Sequence, residues 1–331
     1  MTTHMRREID EIPAVLDRLA APEAQEEIAR LAGMLRSRDP GLVLTIARGS
    51  SDHMALSLKY AIELTLRLPV ASLGPSLVTV YGVAPRPRQA VALAFSQSGG
   101  SADIVALTEA LSSSGTPVFA LTNTPESPLG RAADGLLDVR AGPERAVAAT
   151  KSAVATLVAG LWLVALWAED TPLAAALRTL ADTVRGAEPN HGWEAASHAL
   201  QASDRAMVIG RGPALGLAHE MALKLLETCG IHAMAYSAAE VLHGPNAVLT
   251  DGIPVLALTA GSGSAVDGTV ARLAGQGANV LRPVALHPPV HPLVDPILEL
   301  IAFYGMVEAL SRARGRDPDA PAFLVKATST L

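Results

Sequence analysis

Two short loops rich in hydroxyls and glycine carry the residues best suited to bind an anion. One is Arg48-Gly49-Ser50-Ser51, and the other is Ser96-Gln97-Ser98-Gly99-Gly100-Ser101. Each follows a short apolar run, and in an open parallel sheet ligands sit beyond the carboxyl ends of the strands. The second loop offers three hydroxyls, an amide and two glycines ahead of a helical pattern. Small residues let backbone N–H groups approach an anion, and a helix N-terminus adds partial positive charge. This fits a phosphate cradle without a lysine, and it equally fits a Ser/Gly-rich turn with no ligand. The loop is not a P-loop, because the Gly-Lys-Ser/Thr ending is missing. The run GRGPALG (Gly210 to Gly216) lacks the G-x-G-x-x-G spacing, and no acid ends the apolar run that follows, which argues against a dinucleotide site.

A second dense region is ALKLLETCGIHAMAYSAAEVLHGP (Ala222 to Pro245), with Lys224, Glu227, His232, Glu240 and His243 in an apolar setting. A histidine in such a setting is commonly a satisfied structural residue. His243, however, precedes Gly-Pro in an expected turn, where an imidazole is exposed and adjustable, and its ordinary pKa suits proton transfer near neutral pH. His287 and His291 lie four apart, but HPPVHP cannot be helical, and no metal-ligand cluster stands out. Lys326 sits in the tail FLVKATSTL. It reads as a snorkelling surface lysine, or as an amine that a packed tail could present to a carbonyl.

The elements that must position these residues repeat. VLTIARGSS (Val43 to Ser51) is similar to AMVIGRGPA (Ala206 to Ala214), and VALAFSQSGGSAD (Val91 to Asp103) to PVLALTAGSGSAV (Pro254 to Val266). Arg48 pairs with Arg211 and Ser96 with Thr259, both at a separation of 163 residues. One separation from two segments indicates an internal duplication. In the first copy, strands are expected at Val43–Ala47, Val70–Leu73, Val91–Phe95, Val118–Leu121 and Leu136–Val139, with a helix over Asp103–Ser112. Short continuous apolar runs fit parallel strands buried on both faces, and the alternation with helices implies right-handed βαβ units. The fold class is therefore α/β, with two three-layer αβα sandwiches on parallel sheets. Arg6 to Arg36 reads as leading helices, and the stretch around Ala187 to Trp193 as a connection between domains. The expected division is 1–36, 37–186, 194–313 and a tail over 314–331.

Composition narrows the function further. A net charge of −6 leaves no basic excess for a nucleic-acid backbone. Half of the 331 residues are hydrophobic and only 3% aromatic, which suits interiors of small aliphatic side chains. The longest apolar run, Ala153 to Ala168, is shorter than a bilayer span and is expected to be a buried helix, so no membrane partner is expected. Cys229 stands alone and can form no internal disulfide, and the N-terminus lacks the pattern of a signal peptide. A cytoplasmic location is expected.

Taken together, these segments resemble the SIS (sugar isomerase) family, in particular the isomerase half of glucosamine-6-phosphate synthase and the stand-alone double-SIS glucosamine-6-phosphate deaminases. REIDEIP, ARGSSDH, SQSGGSADI, LTNTPESPL, GPERAVAATKS, LKLLETCGIHAMAYSAAEVLHGP and DPDAPAFLVKAT follow in the family order. The resemblance implies two tandem SIS domains with flavodoxin-like sheets. It implies phosphate binding by Ser51, Ser96, Gln97, Ser98 and Ser101, and sugar contacts at Val147 and Ala149. It makes His243 the ring-opening histidine, supplied across the interface of a homodimer. Lys326 would form a Schiff base with the open-chain ketose, and Glu227 would be a structural or catalytic acid. No organic cofactor and no metal are expected.

Two departures qualify this. The chain opens Met-Thr-Thr and has Cys229 alone, so glutamine-dependent amination is not expected. The family motif His-Ala-Glu-Ala appears as His232-Ala-Met234-Ala, and the glutamate is the base that moves a proton between C1 and C2. Methionine cannot take that proton, and a general base contributes about 10²–10⁴-fold. Glu240 and Glu227 are the acids left for the role. Leu226 also stands where related chains often have lysine, and Ala149 where the synthase has serine. The expected function is an isomerase or deaminase on an amino-sugar or ketose 6-phosphate, converting glucosamine 6-phosphate to fructose 6-phosphate and ammonia. The alternatives are a phosphosugar sensor with impaired turnover and a deglycase on another sugar phosphate.

Overall fold

The computed structural model describes residues 2–187, 192–261, 264–285 and 287–326. The expected connection falls partly, at 188–191, outside the described residues, as do the last residues of the tail from 327 onward. The chain forms two compact units.

One unit comprises Ala14–Glu144, Lys151–Arg178 and the tail from Val325. Its strands are β1 (Leu42–Ile46), β2 (Val70–Ser72), β3 (Ala90–Ser96), β4 (Val118–Thr122) and β5 (Gly135–Asp138), ordered β2-β1-β3-β4-β5. All pairings are parallel, with Val43 opposite Val70 and Val91, and Phe95 opposite Leu121. Every residue of β3 and β4 is buried, as their unbroken apolar runs require when helices cover both faces. On one face, Ile104, Leu107 and Leu111 of the helix Ala102–Ser113 pack on Leu44, Ile46, Ala92, Ala94 and Ala120. The opposite layer includes the helices Pro22–Arg38, Gly49–Thr65 and Lys151–Ala168. The last is, among the described residues, the one helix long and apolar enough to cross a membrane, and 89% of it is buried inside the protein. Gly160 sets its close approach to Gly49–Thr65, since a Cβ there would lie 2.7 Å from Leu58 Cδ2. Its end is held by Arg36, which donates to the carbonyls of Leu166 and Trp167, a favourable place for a cation.

The other unit comprises Met1–Pro13, Arg145–Thr150 and Thr179–Leu324. Its strands β6 (Arg205–Gly210), β7 (His232–Ser237), β8 (Val255–Ala257) and β9 (Val280–Leu281) are parallel and ordered β7-β6-β8-β9. The duplication is visible in the spacing. Residue 42 opens β1 and 205 opens β6, a shift of 163; the shifts from β2 to β7 (70 to 232), β3 to β8 (90 to 255) and β4 to β9 (118 to 280) are 162, 165 and 162. After β9 the correspondence ends, because β5 has no counterpart among the described residues. The helix Asp295–Ala313 begins only 144 residues after Lys151.

The compact units are not contiguous in sequence: the short segments Met1–Pro13 and Arg145–Thr150 group with the four-stranded unit. The leading helices are His4–Asp10, Ile12–Ala20 and Pro22–Arg38, and the division falls just after Pro13. Hydrogen bonding explains the membership of the first. Asp319 accepts the free N–H groups of His4 and Met5, both at 2.7 Å, where a helix N-terminus favours a carboxylate. Glu8 accepts from the backbone N–H groups of Arg145 and Ala146.

Candidate active site

In the five-stranded unit, the strand order changes direction between β1 and β3, which opens a crevice at their carboxyl ends. The two Ser/Gly loops lie there. Ser96 is buried, and its Oγ accepts the Gly99 N–H at 3.1 Å. Ser98 Oγ accepts from Gly100 N–H at 3.2 Å. The Gln97 carbonyl accepts the Asn123 N–H at 3.2 Å and the Thr122 hydroxyl at 3.4 Å, which ties the loop to the end of β4. Gly99 has φ +60, and a Cβ on it would fall 1.9 Å from Ser127 Oγ, so glycine is required by conformation and by space. Ser101 occupies the cap position of the helix Ala102–Ser113 without a side-chain cap bond. Ser51 lies in the first turn of Gly49–Thr65 and is half-buried.

Arg48 and Asp103 join these loops. Asp103 is fully buried in the first helical turn and forms an ion pair with Arg48 Nε. The sequence marks Arg48 as a loop residue and an anchor of the repeat, and gives Asp103 no role. An acid in the first turn of a helix is already favoured by the helix N-terminus, so the sequence carries no signal of this pairing.

Lys326 also belongs to the five-stranded unit, and its Nζ lies 3.7 Å from Glu144 Oε2. Glu144 is a buried carboxylate that accepts the Ser152 N–H at 3.1 Å and the Ser152 hydroxyl. The tail lysine is thus held by a carboxylate in a semi-buried position, about a third exposed, rather than freely solvated. Glu144 lies within GPERAVAATKS, where nothing in the sequence shows that its carboxylate is buried.

The remaining candidates lie in the four-stranded unit. Val147 and Ala149 are half-buried, and the Val147 N–H donates to the Asp319 carbonyl at 3.0 Å. Glu240 and His243 are exposed on a single 3-10 turn, Glu240–His243, followed by Gly244 at φ 139. Glu227 lies in the π-helical turn Leu225–Cys229, an irregularity frequent at functional sites. Its Oε2 is 2.6 Å from the Nζ of buried Lys224, which also approaches Glu220 at 3.3 Å. Tyr304 Oη donates to Glu220 at 3.0 Å. Burial works to lower the Lys224 pKa, but the two carboxylates outweigh it and hold the ammonium above its ordinary value. Burial pushes the Cys229 thiol up to about 11, so it is no ready nucleophile.

Met234 is paired with Met207 across β6 and β7 and is 43% exposed. It lines a cavity of about 290 Å³ with Leu226, Val248 and His232. Leu226 and Met234 therefore line one cavity, beside Arg205 and His232. Among the described residues, no group of three or more His, Cys, Asp or Glu is placed to hold a metal ion.

A family model for the SIS domain matches residues 38–166 and 199–281. The chain belongs to the SIS domain family. A curated relative, glutamine–fructose-6-phosphate aminotransferase [isomerizing] of Symbiobacterium thermophilum, is 34% identical over 87% of this chain and 51% of its own length. The chain thus spans about half the length of such relatives. A crystal structure from Silicibacter pomeroyi DSS-3, described as a candidate phosphosugar isomerase, is 44% identical and covers 96% of this chain and all of that one, with a TM-score of 0.89. A glucosamine-6-phosphate deaminase structure from Thermotoga maritima covers 99% of this chain and 100% of that one at a TM-score of 0.77, and with 19% identity it speaks for the fold alone. The architecture is that of two SIS domains, each with its parallel sheet flanked by helices.

Proposed function

We propose that this chain is a cytoplasmic sugar-phosphate enzyme that deaminates and isomerises an amino-sugar 6-phosphate, taking glucosamine 6-phosphate to fructose 6-phosphate and ammonia. The observation that carries this reading is the combination, on one unit, of the Ser96–Ser101 loop at the β1/β3 crevice and a tail lysine held beside a buried carboxylate. The loop hydroxyls and N–H groups hold the phosphate, with Ser51 from the neighbouring loop. His243 opens the pyranose ring by moving a proton between the anomeric hydroxyl and the ring oxygen. Glu240, on the same turn as His243, carries a proton from C2 to C1 of the open chain while an N–H proton moves to O1, which converts the amino-aldehyde into a 1-hydroxy-2-imine. The Lys326 amine adds to that C2 imine and expels ammonia, leaving a Schiff base that water hydrolyses to fructose 6-phosphate and free lysine. The C1 aldehyde of the open chain itself stabilises the charge formed at C2, so no organic cofactor is needed. The molecule works as a homodimer, with His243 supplied from the partner.

Ser98→Ala tests the phosphate site. It is expected to weaken binding of fructose 6-phosphate about tenfold by calorimetry, the loss of one charge-assisted hydrogen bond. Unchanged affinity would place the phosphate elsewhere.

One observation favours a second reading, a phosphosugar sensor with impaired turnover. Leu226 and Met234 line one cavity, where the resemblance places a glutamate at 234 and often a lysine at 226. A protein that binds the 6-phosphate through the same loop but does not move the C2 proton fits that cavity.

A further inference from the structure

The duplicated counterpart of the phosphate loop, in the four-stranded unit, opens on a different kind of site. Thr259 stands 163 residues after Ser96, at the carboxyl end of β8. In this copy two donors at the start of the loop are taken by the protein itself. Glu299 Oε1, from the helix Asp295–Ala313, accepts the Ala260 N–H at 3.1 Å and the Thr259 hydroxyl at 3.4 Å. A carboxylate thus occupies the position that a bound anion would need. Its second oxygen, Oε2, is buried and has no hydrogen-bond partner among the described residues.

Glu299 lines a cavity of about 700 Å³ formed wholly by this unit. That is ample for a small organic molecule. Ile9, Val184, Val284, Leu298 and Ile301 supply apolar walls. The cations at its edge are already engaged with acids: Arg6 with Asp10 at 2.5 Å and Arg185 with Asp182 at 2.8 Å. Asp295 adds negative charge to the lining, while Asp267 is paired with Arg282 at 2.9 Å. A phosphate or carboxylate finds no free arginine here, a neutral apolar molecule leaves Oε2 as unsatisfied as it is without a ligand, and only a donor, best a cationic one, improves on that.

We propose that this cavity is a second ligand site, separate in role from the phosphosugar loop, and that it takes a small organic amine with an apolar body, its ammonium drawing the enclosed Glu299 Oε2 round to the cavity to accept a hydrogen bond. The duplication has turned an anion cradle into a cation site by placing a carboxylate in the cradle. The ligand class follows from the lining: one buried acceptor without a donor, apolar walls and an acidic edge. The site does not depend on which sugar phosphate the other loop holds.

Calorimetry on the full chain, at about pH 8 so that the Glu299 carboxyl, raised to about 7, is ionised, tests this with n-hexylamine, 1-hexanol and hexanoate. The expected result is that hexylammonium binds at least about tenfold more tightly than hexanol, and that hexanoate does not bind. Glu299→Gln is expected to remove the preference for the amine. Ala302→Phe, which fills the cavity from the same helix, is expected to abolish binding while fructose 6-phosphate affinity is retained, which also shows that the variant is folded. Equal affinity for hexanol and hexylammonium, an unchanged affinity in Glu299→Gln, displacement of the amine by fructose 6-phosphate, or no amine binding up to about 10 mM would each overturn the proposal.

Discussion

At the scale of single residues, Glu299 and Lys224 show burial acting on charge with opposite outcomes. Burial raises the Glu299 carboxyl from 4.5 to about 7, although the Ala260 and Thr259 hydrogen bonds oppose it. Lys224 instead gains two carboxylates and stays charged. For Glu299 the consequence for stability has a definite sign. Below about pH 4.5 the carboxyl is protonated in both folded and unfolded chains. As pH rises from there to about 7, the unfolded chain releases the proton first, so folded stability falls, by about 3 kcal/mol in all. Glutamine mimics the protonated form and carries no such loss. Glu299→Gln is therefore expected to gain on the natural chain between about pH 5 and 8, read as the difference in urea midpoint between the two proteins. Parallel profiles would mean that Glu299 ionises normally in the fold. This pairing was beyond the reach of sequence. Glu299 sits in an unremarkable helical stretch, and only the folded loop brings Ala260 and Thr259 to it.

At the scale of elements, the Ser96–Ser101 loop is a turn whose shape depends on one glycine. Gly99→Ala would force an L-residue to φ +60 and drive its Cβ into Ser127. The expected outcome is a loss of about 1–3 kcal/mol of stability, with fructose 6-phosphate affinity falling more than in Ser98→Ala. A variant that binds normally would show that the loop's backbone does not cradle the phosphate. This element was legible, since β3 and the helix after it fall within a residue or two of the positions read from Val91–Phe95 and Asp103–Ser112. The strands were readable because parallel strands buried on both faces leave unbroken apolar runs, as in β3 and β4. What stayed hidden were the side-chain partners across elements, Arg48 with Asp103 and Lys326 with Glu144, because each pair joins residues far apart in sequence. The boundaries of the compact units were hidden for the same reason, since Asp319 and Glu8 assign the first helix by contacts that no composition shift marks.

At the scale of the whole molecule, the proposed active site needs two subunits. Its residues divide between complementing variants in a way that tests this directly. Mixed His243→Ala and Lys326→Met chains, unfolded and refolded together, are expected to regain up to about a quarter of the natural activity, because the mixed dimer restores one complete site. If no activity returns on mixing, both groups act within one chain. The central claim is that this chain turns over an amino-sugar 6-phosphate held by the Ser96–Ser101 loop, and the most direct measurement is release of ammonia and fructose 6-phosphate from glucosamine 6-phosphate, with Met234→Glu and Lys326→Met alongside. The account predicts turnover by the natural chain and its loss in Lys326→Met. Silence from the natural chain with product from Met234→Glu would contradict it, and would make the protein a phosphosugar binder whose site lacks its base.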